Sequence, residues 1–408
     1  MEVASPRDGG PLVGHLHRPA CRPLPAARVA HYHLRLVSNA PVGNFNYPTP
    51  YRIGRGRARE LPDACRGLGM KRPLLVTDPG LVGMHWFGEI ERNLGRPEDL
   101  EVATFSAVHP NPTGADVEAG VAAYREHRAD GLVLVGGGSA LDVGKCIALM
   151  VDHPGTVFDY EDVGDNWTRV DPSKMPKKIA VPTTAGTGSE VGRASVITDG
   201  DHNKKIIFHP RMLPELVIAD PELTFGLPPR LTAATGMDAL AHCFEAYCAP
   251  GYHPMADGIA LEGMRLIKDN LMRAFHDGMD VEARTNMLMA SSMGATAFQK
   301  GLGLVHALSH PLGGALNVHH GTANAIFLPY VMVFNREAIA GKMDVLARWL
   351  EIPVASNGFD AVLGWMIALR RDLGLPHTLE SVDGFNEEMA RRLAPLATWV
   401  QTGSVARS

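Results

Sequence analysis

The sequence predicts an α/β half built on a parallel sheet, followed by an all-helical half, and three observations carry that prediction. Short apolar runs without polar alternation recur in the first half, each followed by a turn and a segment of helical period. Strands buried on both faces of a parallel sheet read this way, because neither face turns toward water. The runs stop at Gly226-Leu-Pro-Pro229, where the proline pair marks a boundary, and long helical patterns follow. Finally, the stretch from Gly301 to Asn335 holds no Asp, Glu, Lys or Arg. It is long enough to span a bilayer, but four histidines, Pro311, Asn317 and five glycines make a poor lipid-facing helix. A buried core with polar groups gathered at one site fits better.

Taken in order, residues 1–44 stand apart. They carry Pro, Arg and the scattered His15, His17, His31 and His33 without apolar periodicity, and are expected to be a disordered or misannotated extension. No apolar core of signal-peptide length follows the start, and Pro11, Pro19, Pro23 and Pro25 would interrupt a transit-type helix. From Tyr47 the strand runs begin: Pro73-Leu-Leu-Val-Thr-Asp78, Gly131-Leu-Val-Leu-Val135, Lys178-Ile-Ala-Val-Pro-Thr183 and Glu215-Leu-Val-Ile-Ala-Asp220. Between them, Thr113 to His127 and Ala140 to Val151 show helical spacing, giving a doubly wound unit over 45–228. Residues 229–397 form the helical half, and 398–408 an atypical tail.

Composition narrows the chemistry. The 408 residues have a formal net charge of −5, 45% apolar and 20% charged residues, which suits a soluble globular protein and argues against a nucleic-acid partner. Cys21, Cys65, Cys146, Cys243 and Cys248 are odd in number and form no Cys-x-x-Cys pair, so neither a disulfide framework nor a thiolate zinc site is expected, and a reducing compartment, the cytoplasm, is. Histidine is abundant, at 18 residues. It is the commonest metal ligand.

Gly136-Gly-Gly-Ser139 follows a strand and opens a helix, so its backbone N–H groups can meet a pyrophosphate, with Asp142 in the next turns. It is not the Gly-x-Gly-x-x-Gly fingerprint, and a tight strand-to-helix turn would look the same. Pro182-Thr-Thr-Ala-Gly-Thr-Gly-Ser189 offers hydroxyls at another strand end, where ligands bind in open α/β sheets. Asp78 ends the first strand, where an acid can bond a ribose hydroxyl or simply cap a helix. Asp238 and His242 are spaced i, i+4, as are His306 and His310, with His319 and His320 beyond. One carboxylate and three imidazoles from separate segments would bind a divalent first-row metal, although a lone buried histidine is more often a satisfied core residue. Spacing alone does not choose between His319 and His320.

These segments resemble the iron-dependent (group III) alcohol dehydrogenases, from about Phe45 to about Leu375. The motifs that carry the likeness are Gly136-Gly-Gly-Ser-Ala-Leu-Asp142, Pro182-Thr-Thr-Ala-Gly-Thr-Gly-Ser-Glu190, Ala234-Thr-Gly-Met-Asp-Ala-Leu-Ala-His242 and Gly303-Leu-Val-His-Ala-Leu-Ser-His-Pro-Leu-Gly313. His320-Gly-Thr-Ala-Asn324 matches the family's His-Gly-x-x-Asn and selects His320. The resemblance implies Asp238, His242, His306 and His320 as ligands of Fe²⁺, with Zn²⁺ chemically possible, and His310 as a proton relay beside the substrate. It implies Asp78, Asn111, Gly137, Gly138, Ser139, Asp142, Thr183, Thr184, Thr187, Val196 and Lys205 as contacts with NAD, which the acid at Asp78 favours over NADP. The implied activity is reversible hydride transfer between a small primary alcohol or diol and NAD, in a dehydroquinate synthase-like architecture and a homodimer or higher homo-oligomer.

The family's closing segment, usually a helix with an Asn-Pro-Arg element, is not found after Arg391-Arg-Leu-Ala-Pro-Leu-Ala397. Two alternatives stand beside the dehydrogenase. A folded relative with a vestigial site predicts no metal, and a dehydroquinate synthase-like lyase would hold NAD through its cycle and bind an acidic sugar phosphate. The uncharged 301–335 segment disfavours the second.

Overall fold

The computed structural model describes residues 49–398; the 1–44 extension and the tail beyond Thr398 lie outside the described residues. Eight strands are β1 Tyr51–Ile53, β2 Pro73–Val76, β3 Ala103–Phe105, β4 Gly131–Gly136, β5 Lys177–Pro182, β6 Ala194–Thr198, β7 Lys204–Phe208 and β8 Leu216–Ala219. Five helices accompany them: α1 Leu61–Gly67, α2 Pro79–Val82, α3 His85–Leu94, α4 Gly114–His127 and α5 Gly138–Met150. Then come α6 Pro229–Cys248, α7 Pro254–His276, α8 Val281–Ala297, α9 Leu304–Leu316, α10 His320–Phe334, α11 Arg336–Trp349, α12 Gly358–Asp372 and α13 Glu387–Leu393.

Six strands form one all-parallel sheet in the order β1-β8-β5-β4-β2-β3. Its residues alternate between two cores. Leu74, Val76, Leu132, Leu134 and Ala180 pack with α4 and α5, while Leu75, Val133, Val135, Ile179 and Val181 pack with α1 and α3. Each strand is thus apolar on both faces, which is why these runs show no alternation. The connection from β2 to β3 runs over one face, and those from β3 to β4 and β4 to β5 run over the other. The winding direction therefore switches between β2 and β4, the place where open α/β sheets leave a crevice at the carboxyl ends of their strands.

The four expected strands are all present. The short β1 and β3 and the antiparallel β6–β7 hairpin escape the sequence reading because three-residue edge strands and a half-exposed hairpin present no continuous apolar run. After the proline pair the chain is helical, with its own core of Met237, Leu240, Met264, Leu271, Leu328 and Met366 among others. Arg284 secures the junction, donating to the Leu227 carbonyl at 3.4 Å and the Thr232 hydroxyl at 2.9 Å. The two halves share packing, since Leu288 and Ala295 of α8 sit in the sheet's core. Ala394–Thr398 packs on α9. No helix among the described residues is long and apolar enough to cross a membrane, the uncharged stretch being broken at α9's end by Asn317 in left-handed conformation.

Candidate metal centre

Helix α6 supplies the first two groups. At i, i+4 spacing Asp238 and His242 point from one face into the interior, and both are buried. His306 comes from the first turn of α9 and His320 opens α10. Close approach explains the glycine after His320: a Cβ on Gly321 would stand 2.0 Å from the Ala234 carbonyl oxygen, so only glycine lets α10 begin against α6. The four donor atoms lie within 4.8 Å of one another. Asp238 Oδ1 is 3.5 Å from His320 Nε2, 3.8 Å from His306 Nε2 and 3.9 Å from His242 Nδ1. His319 is exposed and outside this cluster, so the structure separates the two neighbours as spacing could not.

The electrostatics are those of a site arranged around positive charge. Burial alone would raise the Asp238 carboxyl, but the imidazoles of His242, His320 and His306 outweigh it and hold it far below the usual carboxylate range. Burial pushes His242 down to about 4 and His320 well below its ordinary value. His306 is the exception: burial opposes its charge, yet the Asp238 carboxylate 3.8 Å from its Nε2 and the Glu245 carboxylate bonded to its Nδ1 raise it to about 9. His242 Nδ1, His320 Nδ1 and Asn324 Oδ1 are buried without a hydrogen-bond partner. A metal bonded at about 2.0–2.2 Å sets tetrahedral ligand atoms about 3.4 Å apart, so the three imidazole nitrogens, 3.5 to 3.9 Å from Asp238 Oδ1, need little contraction toward the carboxylate. The donor set and the orphaned His242 nitrogen, which faces Asp238, both fit a divalent ion.

Two polar residues at this site escape the sequence reading of individual roles. Asn324 donates to Asp238 Oδ1 at 2.7 Å and places the same nitrogen 3.2 Å from both His306 Nε2 and His320 Nε2. Glu245 bonds His306 Nδ1 at 2.6 Å. The signal for Glu245 is its position seven residues past Asp238 on the same helical stripe. His310 stands one turn beyond His306, its ring 5.2 Å from that of His320 and 6.0 Å from that of His306. Burial and the nearby Lys204 keep His310 well below the usual histidine range, hence neutral at pH 7.

His310 also lines a cavity of about 1070 Å³ that reaches Asn111, Lys204, Lys205 and Asn317. Beyond it lie the strand ends of the crevice. Val76 is paired with Leu134, so Asp78 and Gly136, two residues further along each strand, finish side by side. The Thr183 N–H bonds the Gly136 carbonyl at 3.0 Å, which brings Thr183, Thr184 and Thr187 to Gly137 and Gly138. Ser139 Oγ donates to the Pro110 carbonyl at 2.6 Å and the Asn111 amide meets Asn317, so this loop too joins the crevice.

Two of these residues already have protein partners. Asp142 accepts from the Ser189 hydroxyl at 2.5 Å and from the Val196 N–H at 2.8 Å, and lies 3.1 Å from the fully buried Lys145, so it ties these loops together. Lys205 pairs with Glu161 at 3.2 Å, whereas Lys204 has no ion-pair partner among the described residues and leans toward Gly313 of α9. Asp78 caps α2 through the Gly80 N–H at 3.0 Å.

Two family models match the chain: iron-containing alcohol dehydrogenase over residues 48–221, and the C-terminal domain of the Fe-containing alcohol dehydrogenase family over 232–405. The second match continues into the stretch expected to be an atypical tail. A 4-hydroxybutyrate dehydrogenase of Cupriavidus necator is 43% identical over 357 residues, 85% of this chain and 92% of that protein. Among solved structures, a 1,3-propanediol oxidoreductase superimposes with a TM-score of 0.82 at 34% identity, covering 90% of this chain and 96% of that one. A sulfoacetaldehyde reductase from Bifidobacterium kashiwanohense in complex with NAD+ gives 0.80 at 29% identity, covering 90% and 94%.

Proposed function

The chain belongs to the iron-containing alcohol dehydrogenase family, and from that premise we propose that Asp238, His242, His306 and His320 hold its divalent ion and that His310 moves the proton. The activity is that of a metal-dependent, NAD-linked alcohol dehydrogenase. What carries the site assignment is the convergence of one carboxylate oxygen and three imidazole nitrogens within 4.8 Å in a buried pocket. Fe²⁺ is the ion the family is named for, and the donor set suits Zn²⁺ as well. When bound, the ion supplies a Lewis acid for the alcohol oxygen, and NAD supplies the hydride acceptor.

The protein's own residues do the remaining work. Asn324 holds the Asp238 carboxylate in place. The uncharged α9 and α10 wall the site, so a reacting alcohol meets few competing charges. His310, between the cluster and the cavity, accepts the hydroxyl proton and passes it outward. We assign 45–228 to NAD binding and 229–397 to catalysis. Gly137, Gly138 and Ser139 present backbone to the pyrophosphate at the start of α5. Thr183, Thr184, Thr187 and Asn111 close the crevice around it, Asp78 takes a ribose hydroxyl, Asp142 and Val196 brace the loop, and Lys205 or the better-placed Lys204 supplies the cation. The substrate is a small primary alcohol, diol or hydroxy acid of the kind the 4-hydroxybutyrate relative is named for. Free cysteines at 65, 146, 243 and 248 support the cytoplasm as its compartment, and we assign it as a homo-oligomer.

Anaerobic purification with metal analysis, followed by NAD reduction over short alcohols, diols and 4-hydroxybutyrate, tests this reading. Stoichiometric metal and free NADH with at least one substrate are expected. Metal-free protein inactive after Fe²⁺ or Zn²⁺ loading would defeat it.

A further inference from the structure

The buried Glu245 carboxylate joins the metal site to the start of α9. Its Oε2 is 2.6 Å from His306 Nδ1, and its Oε1 accepts the Val305 N–H at 2.6 Å. The His306 N–H reaches Oε2 at 3.4 Å. Those two amides belong to the first turn of α9, where N–H groups have no partner within their own helix. The approach is built in, since a Cβ on Gly303 would stand 2.9 Å from Glu245 Oε1. Among the described residues, the carboxylate's only ion-pair partner is His306.

A carboxylate can only accept a hydrogen bond, so the contact requires the proton on His306 Nδ1. Nε2 is then the nitrogen left to face Asp238, at 3.8 Å, and the one that gives up its proton to a cation. We propose that Glu245 is a positioning residue for the metal: it fixes the tautomer and orientation of His306 before the ion arrives, and so raises the affinity of the four-residue site. This rests on the metal reading given above. Carboxylates behind ligating imidazoles act this way in general.

The test uses the full chain, stripped of metal, with Co²⁺ as probe against a competing chelator. In Glu245→Gln the amide oxygen can still accept the Val305 N–H, but the NH₂ meets His306 Nδ1 and favours the tautomer that cannot ligate through Nε2. The Co²⁺ dissociation constant should rise by about 10- to 100-fold, with an altered visible spectrum, while the melting temperature of the metal-free protein stays near wild type. An unchanged dissociation constant overturns the proposal, as does a loss of affinity matched by a collapse of metal-free stability. Nitrogen NMR of the Zn²⁺-loaded wild type needs no variant: Nδ1 protonated with Nε2 on the metal supports the proposal, and ligation through Nδ1 overturns it. A wild type that takes up no Co²⁺ at all defeats the parent reading as well, which tells the two failures apart.

Discussion

The crevice at the sheet edge and the cluster between α6, α9 and α10 are both polar, yet they stand in opposite states. In the crevice the side chains already have protein partners: Asp142 with Ser189, Val196 and Lys145, Ser139 with the Pro110 carbonyl, Lys205 with Glu161. In the cluster, His242 Nδ1, His320 Nδ1 and Asn324 Oδ1 are buried and unpaired. A buried polar atom without a partner costs about 1–3 kcal/mol. The crevice therefore lends its backbone to a ligand that comes and goes, whereas the cluster keeps one bare imidazole nitrogen, His242 Nδ1, turned to Asp238 where a cation would sit.

The comparison can be broken most forcefully at Asp238. Asp238→Ala should lower kcat/KM by more than about 10³-fold, the several kcal/mol a Lewis acid supplies, and metal analysis should show the ion gone. A variant retaining both metal and activity would remove the carboxylate from the centre. Next in size, Asp142→Ala should destabilise the protein by about 3 kcal/mol, with or without metal, since it takes the counter-charge from a fully buried lysine and leaves it only the neutral acceptors of Ser189 and Ala194. His242→Ala in metal-free protein should change the melting temperature less, because no buried charge is stranded and the loss is the packing of the ring on Phe298 and His306. Equal losses in the two variants would erase the distinction between the regions.

His310→Gln sharpens the boundary between them. Turnover should fall by about 100-fold, in the range of lost proton transfer, at unchanged metal content; loss of the metal instead would make His310 a ligand. The smallest effect separates two neighbours. Lys204→Ala should raise KM for NAD about tenfold, as expected for one lost charge-assisted bond, and Lys205→Ala by less, because Glu161 already holds it. The reverse order would restore Lys205 as the cofactor's cation.

How much could be read beforehand follows the same physics. The central strands announce themselves because both faces are buried, while β1 and β3 are too short to leave a pattern. Asp238 and His242 are readable as a pair from helical spacing, but only the fold, or the resemblance through His320-Gly-Thr-Ala-Asn324, selects His320 over His319. Lys204 and Lys205 are indistinguishable in sequence: both line the cavity, and which of them a carboxylate already holds is a tertiary fact. Glu245 is hidden for another reason: a single Glu on a helix is ordinarily at the surface, and its partners lie about 60 residues away in α9.

The stripe Asp238, His242 and Glu245 on α6 also constrains how this chain can vary in length. Each residue inserted in an α-helix turns everything beyond it by about 100°, so a single codon gained between 238 and 242 would swing Asp238 away from His242 and Glu245 while leaving α6 helical. The glycine contacts at 303 and 321 fix the depth of α9 and α10 against the same helix, so no compensating slide is open to them. Substitutions can accumulate one at a time where α6 reaches the surface, at Pro229, Arg230 and Leu231, but insertions and deletions within the buried remainder break the site, leaving the loops before Pro229 and after Cys248 as the places where length can drift.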